Sequence, residues 1–123
     1  MATSVDGRFT DGHRRLLADG RDVTAVEVMA SGPARRHGLL DREGLEGAVL
    51  LTPAASVHTV GMRFPIDVVF LDKNLRVLRV LTMPPGRLGL PRLRARHVLE
   101  TAAGGCARWG IARGARLSVA EAD

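Results

Sequence analysis

The sequence predicts a mainly β domain: a small antiparallel β-sandwich or partly open barrel of about seven or eight short strands with one or two short helices. Two kinds of observation carry that expectation. Short apolar runs rich in Val, Ile and Leu are separated by Gly, Pro, Asp and Asn at close intervals. The strongest pair of runs, on either side of Asp72-Lys73-Asn74, is too short and too β-branched for helices.

The 123 residues suit one ordinary domain and leave no room for two. A domain of that size buries roughly two-thirds of the surface its unfolded chain exposes, so it needs no disulfide or metal staple. Only 3% of residues are aromatic and none is tyrosine. The core must therefore be aliphatic, with Phe9, Phe64, Phe70 and Trp109 as the only rings.

Taken in order, residues 1–13 have no period and read as a flexible leader, with a single β domain over 14–123. Arg15–Ala18 and Val23–Met29 flank Asp19-Gly20, a hairpin turn signal because both residues tolerate positive φ. Ser31-Gly32-Pro33 reads as a helix start, with the helix running to about Leu40. Ala48–Leu51 is a short buried strand stopped by Pro53, and Val57–Met62 has strand character. Ile66–Leu71 and Arg76–Leu81 form an antiparallel pair. Pro84–Pro91 is a long loop without regular structure. Arg96–Glu100 is a further strand, Cys106–Trp109 a helical turn closed by Gly110, and Ala115–Val119 the last strand.

The net charge is +5, with Lys73 the only lysine among 18 basic residues. The basic loop residues Arg87, Arg92, Arg94 and Arg96 are candidates for gripping phosphates. No aromatic residue is interleaved for base stacking, and no helix-turn-helix accompanies them. A solvated loop is therefore favoured over nucleic acid. The single cysteine, Cys106, excludes an intrachain disulfide. It reads as a small buried hydrophobe, although Arg108 and the helical turn are features that lower a thiol pKa. No metal is expected, because His13, His37, His58 and His97 lack ligand spacing. No cofactor is expected either. Without an apolar leader or an apolar run of about 18 residues, the expectation is a cytoplasmic protein with no membrane partner.

The densest polar-in-apolar segment is Ser56–Asp67. Strand alternation would put His58, Val60 and Met62 on one side, with Thr59 and Arg63 on the other. Asp67 alternates with Val69 and Leu71 on the core-facing row, where an acid must be paired, hydrogen-bonded or protonated. Arg63 is the nearest partner. Two readings follow. Arg63 and Asp67 form a structural ion pair at the Phe64-Pro65 corner, or His58, Thr59, Met62, Arg63 and Asp67 line a ligand pocket.

The segment His58-Thr-x-x-Met62-Arg63-Phe64-Pro65-Ile66-Asp67 through Asp72 closely resembles the signature of the domain of unknown function 192 family (DUF192, UPF0127). Gly38–Arg42 with Leu45, then Leu99-Glu100, Ala103-Gly104 and Gly114–Leu117, resemble further pieces of that pattern. The likeness covers about residues 15–119. Asp41 stands where the family usually has Gly, and Ala115 where an acid is usual. The resemblance implies a mainly antiparallel β-sandwich or small barrel and supplies no mechanism.

The leading functional reading is a binding module for a small polar ligand or a protein partner at the His58–Asp67 motif. An assembly subunit and a hydrolase using His58 and Asp67 are the alternatives, with an enzyme the less favoured. The oligomeric state is not legible in the sequence.

Overall fold

Asp19 and Gly20 take φ of 49° and 82° and join β1 (Gly12–Ala18) to β2 (Arg21–Met29) as an antiparallel hairpin. The structure, a computed structural model, describes residues 9–122 apart from Leu90, and only the backbone of Arg36 and His37. Of the stretch expected as a leader over residues 1–13, Gly12 and His13 open β1. Phe9 is buried, and the Asp11 carboxylate accepts from the Ala30 and Ser31 amides. Residues 1–8 lie outside the described residues.

Ser31 caps α1 (Gly32–His37), its hydroxyl accepting from the Ala34 amide. Gly38 ends the helix at φ 51°, its N–H donating to the Ala34 carbonyl, so α1 stops before Leu40. The helical connection lets β3 (Ala48–Leu51) run parallel to β2, the one departure from an antiparallel sheet among the described pairs.

The remaining strands are β4 (Val57–His58), β5 (Ile66–Leu71), β6 (Val77–Met83), β7 (Leu88–Gly89), β8 (His97–Ala102) and β9 (Leu117–Glu121). A second helix, α2 (Gly105–Trp109), lies between β8 and β9 and is closed by Gly110 at φ 70°. Seven strands form one mixed sheet in the order β6-β5-β8-β3-β2-β1-β9, and β4 pairs with β7. The outer strands meet at one end only, where Arg76 bridges Arg116 and the Leu117 amide donates to the Leu75 carbonyl at 2.9 Å. The sheet is therefore a partly open barrel.

Two apolar clusters cover the two faces, and β5 feeds both. Val69 and Leu71 join Leu16, Val26, Leu50, Leu99 and Leu117. Ile66, Val68 and Phe70 join Met29, Leu39, Val49, Val57, Met62 and Val98. All six residues of β5 are buried. Complete burial of a Val or Leu side chain contributes about 1.5–3 kcal/mol, so this central strand anchors the fold.

Two expectations are corrected around β4. The strand foreseen over Val57–Met62 ends at His58, because Gly61 takes φ 85° and the Met62 amide donates back to the Thr59 carbonyl. The loop foreseen over Pro84–Pro91 contains β7. A turn at Gly86, whose N–H donates to the Thr59 carbonyl at 2.9 Å, returns the chain so that Leu88 pairs with His58.

Candidate functional site

Strand β8 lies between β5 and β3, and its side chains alternate between the two clusters. Leu99 enters one, Val98 the other. Glu100 follows the parity of Val98, with Val68 and Val49 as its register partners on either side. This puts a carboxyl group on an otherwise apolar strip, with only 3% of the residue exposed. No hydrogen bond or salt bridge reaches it from the described residues. Burial alone pushes its pKa from 4.5 up to about 7, because a charged carboxylate is poorly solvated there.

Glu100 lines a cavity of about 100 Å³ with Arg35, Gly38, Leu39, Leu40, Leu51, Ser56, Val57, His58 and Met62. The walls come from α1 and the turn after it, and from β3 and β4. A shallower depression of about 340 Å³ adjoins it, sharing Arg35, Leu51 and Ser56. The Arg35 guanidinium is held by the Pro53 carbonyl at 2.8 Å and the Ser31 carbonyl at 3.4 Å. Ser56 and His58 are exposed, and Met62 and Leu39 are buried. The site thus has an acidic group, apolar walls and polar groups at its opening. A volume near 100 Å³ holds a few waters or a ligand of a few heavy atoms.

Of the five motif residues singled out in the sequence, only His58 and Met62 line this cavity. Thr59 is buried, its hydroxyl donating to the Pro84 carbonyl at 2.7 Å and accepting from the Arg87 amide at 2.8 Å. It fastens the turn that carries β7. Arg63 is exposed and pairs with Glu43, so the anticipated Arg63–Asp67 ion pair does not form.

Asp67 is buried, as its core-facing row requires, but on the face opposite the cavity. It accepts from the Thr82 hydroxyl at 2.8 Å and from the Gly104 and Cys106 amides at 3.0 and 3.3 Å. Those two amides belong to the start of α2, so Asp67 caps that helix. Gly105 permits the approach: a Cβ there would lie 2.7 Å from Thr101 Oγ1.

The comparisons agree with this architecture. A family model described as DUF192, "Uncharacterized ACR", matches residues 15–119. The chain belongs to that family. A UPF0127 protein of Pyrococcus horikoshii is 36% identical over 80 residues, covering 61% of this chain and 70% of that protein. A UPF0127 protein of Pyrococcus abyssi is 30% identical over 80 residues, covering 61% and 68%. A solved structure of a putative transcription regulator from Sinorhizobium meliloti has a TM-score of 0.77 at 20% identity, covering 92% of this chain and 98% of that one. A protein of unknown function from Novosphingobium aromaticivorans gives a TM-score of 0.71 at 20% identity, covering 94% and 96%. At that identity the two structures share the fold.

In this DUF192 domain Cys106 and His97 pack in the interior rather than in the cavity. Cys106 is buried, and burial followed by the Asp67 carboxylate pushes its thiol up to about 12. Burial and the raised pKa both disfavour the reactive thiolate, and the side chain packs as a small hydrophobe. His97 is buried against Phe9, with Thr52 Oγ1 2.6 Å from Nδ1. Burial lowers its pKa, which favours the neutral ring. Among the described residues no three His, Cys, Asp or Glu side chains cluster as a metal site. Among the described residues no helix is long and apolar enough to cross a membrane.

Proposed function

We propose that this domain is a binding module for a small polar ligand, held in the cavity between α1, β3 and β4. The observation that carries the proposal is Glu100: a buried carboxyl group, without a hydrogen-bond partner among the described residues, lining that cavity. Such a group costs stability unless something completes its hydrogen bonding. A ligand that donates to Glu100 supplies that bond, and Arg35, Ser56 and His58 offer donors to an acceptor at its other end. The small volume favours compounds of a few heavy atoms carrying an ammonium or hydroxyl group.

The hydrolase reading has weaker support. His58 lines the cavity, whereas Asp67 caps α2 on the other face of the sheet. The pair required to orient and activate a nucleophile is not assembled.

Thermal shift with glycine, ethanolamine, methylammonium and ethylene glycol tests the binding proposal, using wild type and Glu100→Leu. A probe present at a hundred times its dissociation constant stabilises by about 2.7 kcal/mol, which is several degrees in a domain this size. The proposal expects at least one probe to raise the wild-type melting temperature and to leave the folded Glu100→Leu protein unmoved. Equal shifts in both proteins, or none in either, would overturn it.

A further inference from the structure

A larger groove of about 740 Å³ runs beside the outer strand β6, between the Pro91–Arg94 segment and the Ile111–Arg113 loop. Four arginines from three parts of the chain line it: Arg79 on β6, Arg92 and Arg94, and Arg113 before β9. Of the basic loop residues read from the sequence, Arg92 and Arg94 enter the groove, while Arg87 and Arg96 do not. Among the described residues no acidic side chain lines it. The described salt bridges occupy Arg14, Arg15, Arg42 and Arg63 instead. None of the four groove guanidiniums has a side-chain hydrogen bond among the described residues.

Arg92 is the most constrained of them. Its guanidinium lies 5.1 Å from the centre of the Phe70 ring, and its Nε is buried without a partner. Stacking on an aromatic face fixes the plane of the guanidinium and leaves its edge donors available. The groove also has apolar lining, from Leu78, Val80 and Ile111, and Leu93 on its rim is 94% exposed. Like charges gathered along one groove repel one another and favour a bound polyanion.

We infer that this groove binds a small phosphate-bearing ligand with an apolar or aromatic body, of the size of a nucleotide. Three features favour that class. Arginine forks match phosphate oxygens two at a time. Four of them exceed what one carboxylate can engage. The volume of about 740 Å³ lies within the range of small-molecule sites and accommodates more than an inorganic anion. The groove supports a compact ligand over a polynucleotide, because no aromatic side chain among the described residues lines it for stacking successive bases.

Calorimetric titration with ATP, inorganic triphosphate, adenosine and a short single-stranded DNA tests the inference. The proteins are wild type, Arg94→Gln/Arg113→Gln, and a control, Arg87→Gln/Arg108→Gln, that removes the same charge outside the groove. ATP should bind wild type more tightly than triphosphate or adenosine does. The groove variant should weaken ATP binding about tenfold or more, as expected for losing charged hydrogen bonds, and the control should remain within about twofold of wild type. Circular dichroism checks that both variants are folded. Equal losses in both variants would make the effect one of net charge and overturn the inference. So would binding of DNA alone, or no ATP binding by wild type.

Discussion

Replacing Glu100 by Gln should make the protein more stable at alkaline pH while changing little in the pH dependence of anything else. The carboxyl is almost wholly buried and its pKa rises from 4.5 to about 7. At about 1.4 kcal/mol for each pH unit, keeping this group ionised in the folded protein costs about 3 kcal/mol. Below pH 4.5 the group is neutral in both folded and unfolded chains, so the wild type bears no ionic penalty. As the pH rises towards 7, the unfolded chain releases its proton first, and wild-type stability falls relative to the variant. Above pH 7 the difference is constant. The amide has a burial cost of its own, about 1–3 kcal/mol, but that cost does not vary with pH. The discriminating quantity is therefore the change in the stability difference between pH 4 and pH 8.5, measured by urea unfolding of both proteins. It should be about 3 kcal/mol in favour of the variant, equivalent to about 10 °C in melting temperature. Parallel stability curves across that range would refute the reasoning, since they would mean that Glu100 ionises as it does in the unfolded chain.

Asp67→Ala leaves the buried Cys106 amide without its acceptor, along with the Gly104 amide and the Thr82 hydroxyl, and should destabilise by about 1–3 kcal/mol in urea unfolding. Arg63→Ala, which removes only an exposed pair with Glu43, should change stability by less than about 1 kcal/mol in the same assay. The Cys106 thiol, pushed up to about 12, should resist a thiol-exchange reagent at pH 8 in the folded protein and react once urea unfolds it.

The elements legible in the sequence are those encoded by neighbouring residues. Asp19-Gly20 specifies its own turn, Ser31 and Pro33 open α1, and the β-branched run Ile66–Leu71 is a strand with all of its residues buried. Pairing was not legible where it depends on distant segments. Nothing local marks β2 and β3 as parallel, or brings Arg76 to Arg116. The segment after His58 fails as a strand because Thr59 binds a loop about 25 residues further along the chain, between Pro84 and Arg87.

The site was legible in part for the same reason. His58 and Met62 lie in the conspicuous motif and do line the cavity, but Thr59, Arg63 and Asp67 are taken up by separate structural contacts. Glu100 carries only a faint signal, an acid that alternates with Val98 beside Leu99. Its significance depends on β8 being a central strand between Val49 and Val68. Arg35 enters through the way α1 packs, which composition does not reveal.

The most direct measurement of the central claim is an amide NMR titration of the isotopically labelled protein with glycine and with ethanolamine. The account predicts saturable shifts at Gly38, Leu39, Ser56, His58 and Glu100, with Gly104 and Cys106 unmoved on the opposite face. Shifts centred on Gly104 and Cys106, or no saturable shift with either probe, would contradict the assignment of the binding site to the Glu100 cavity.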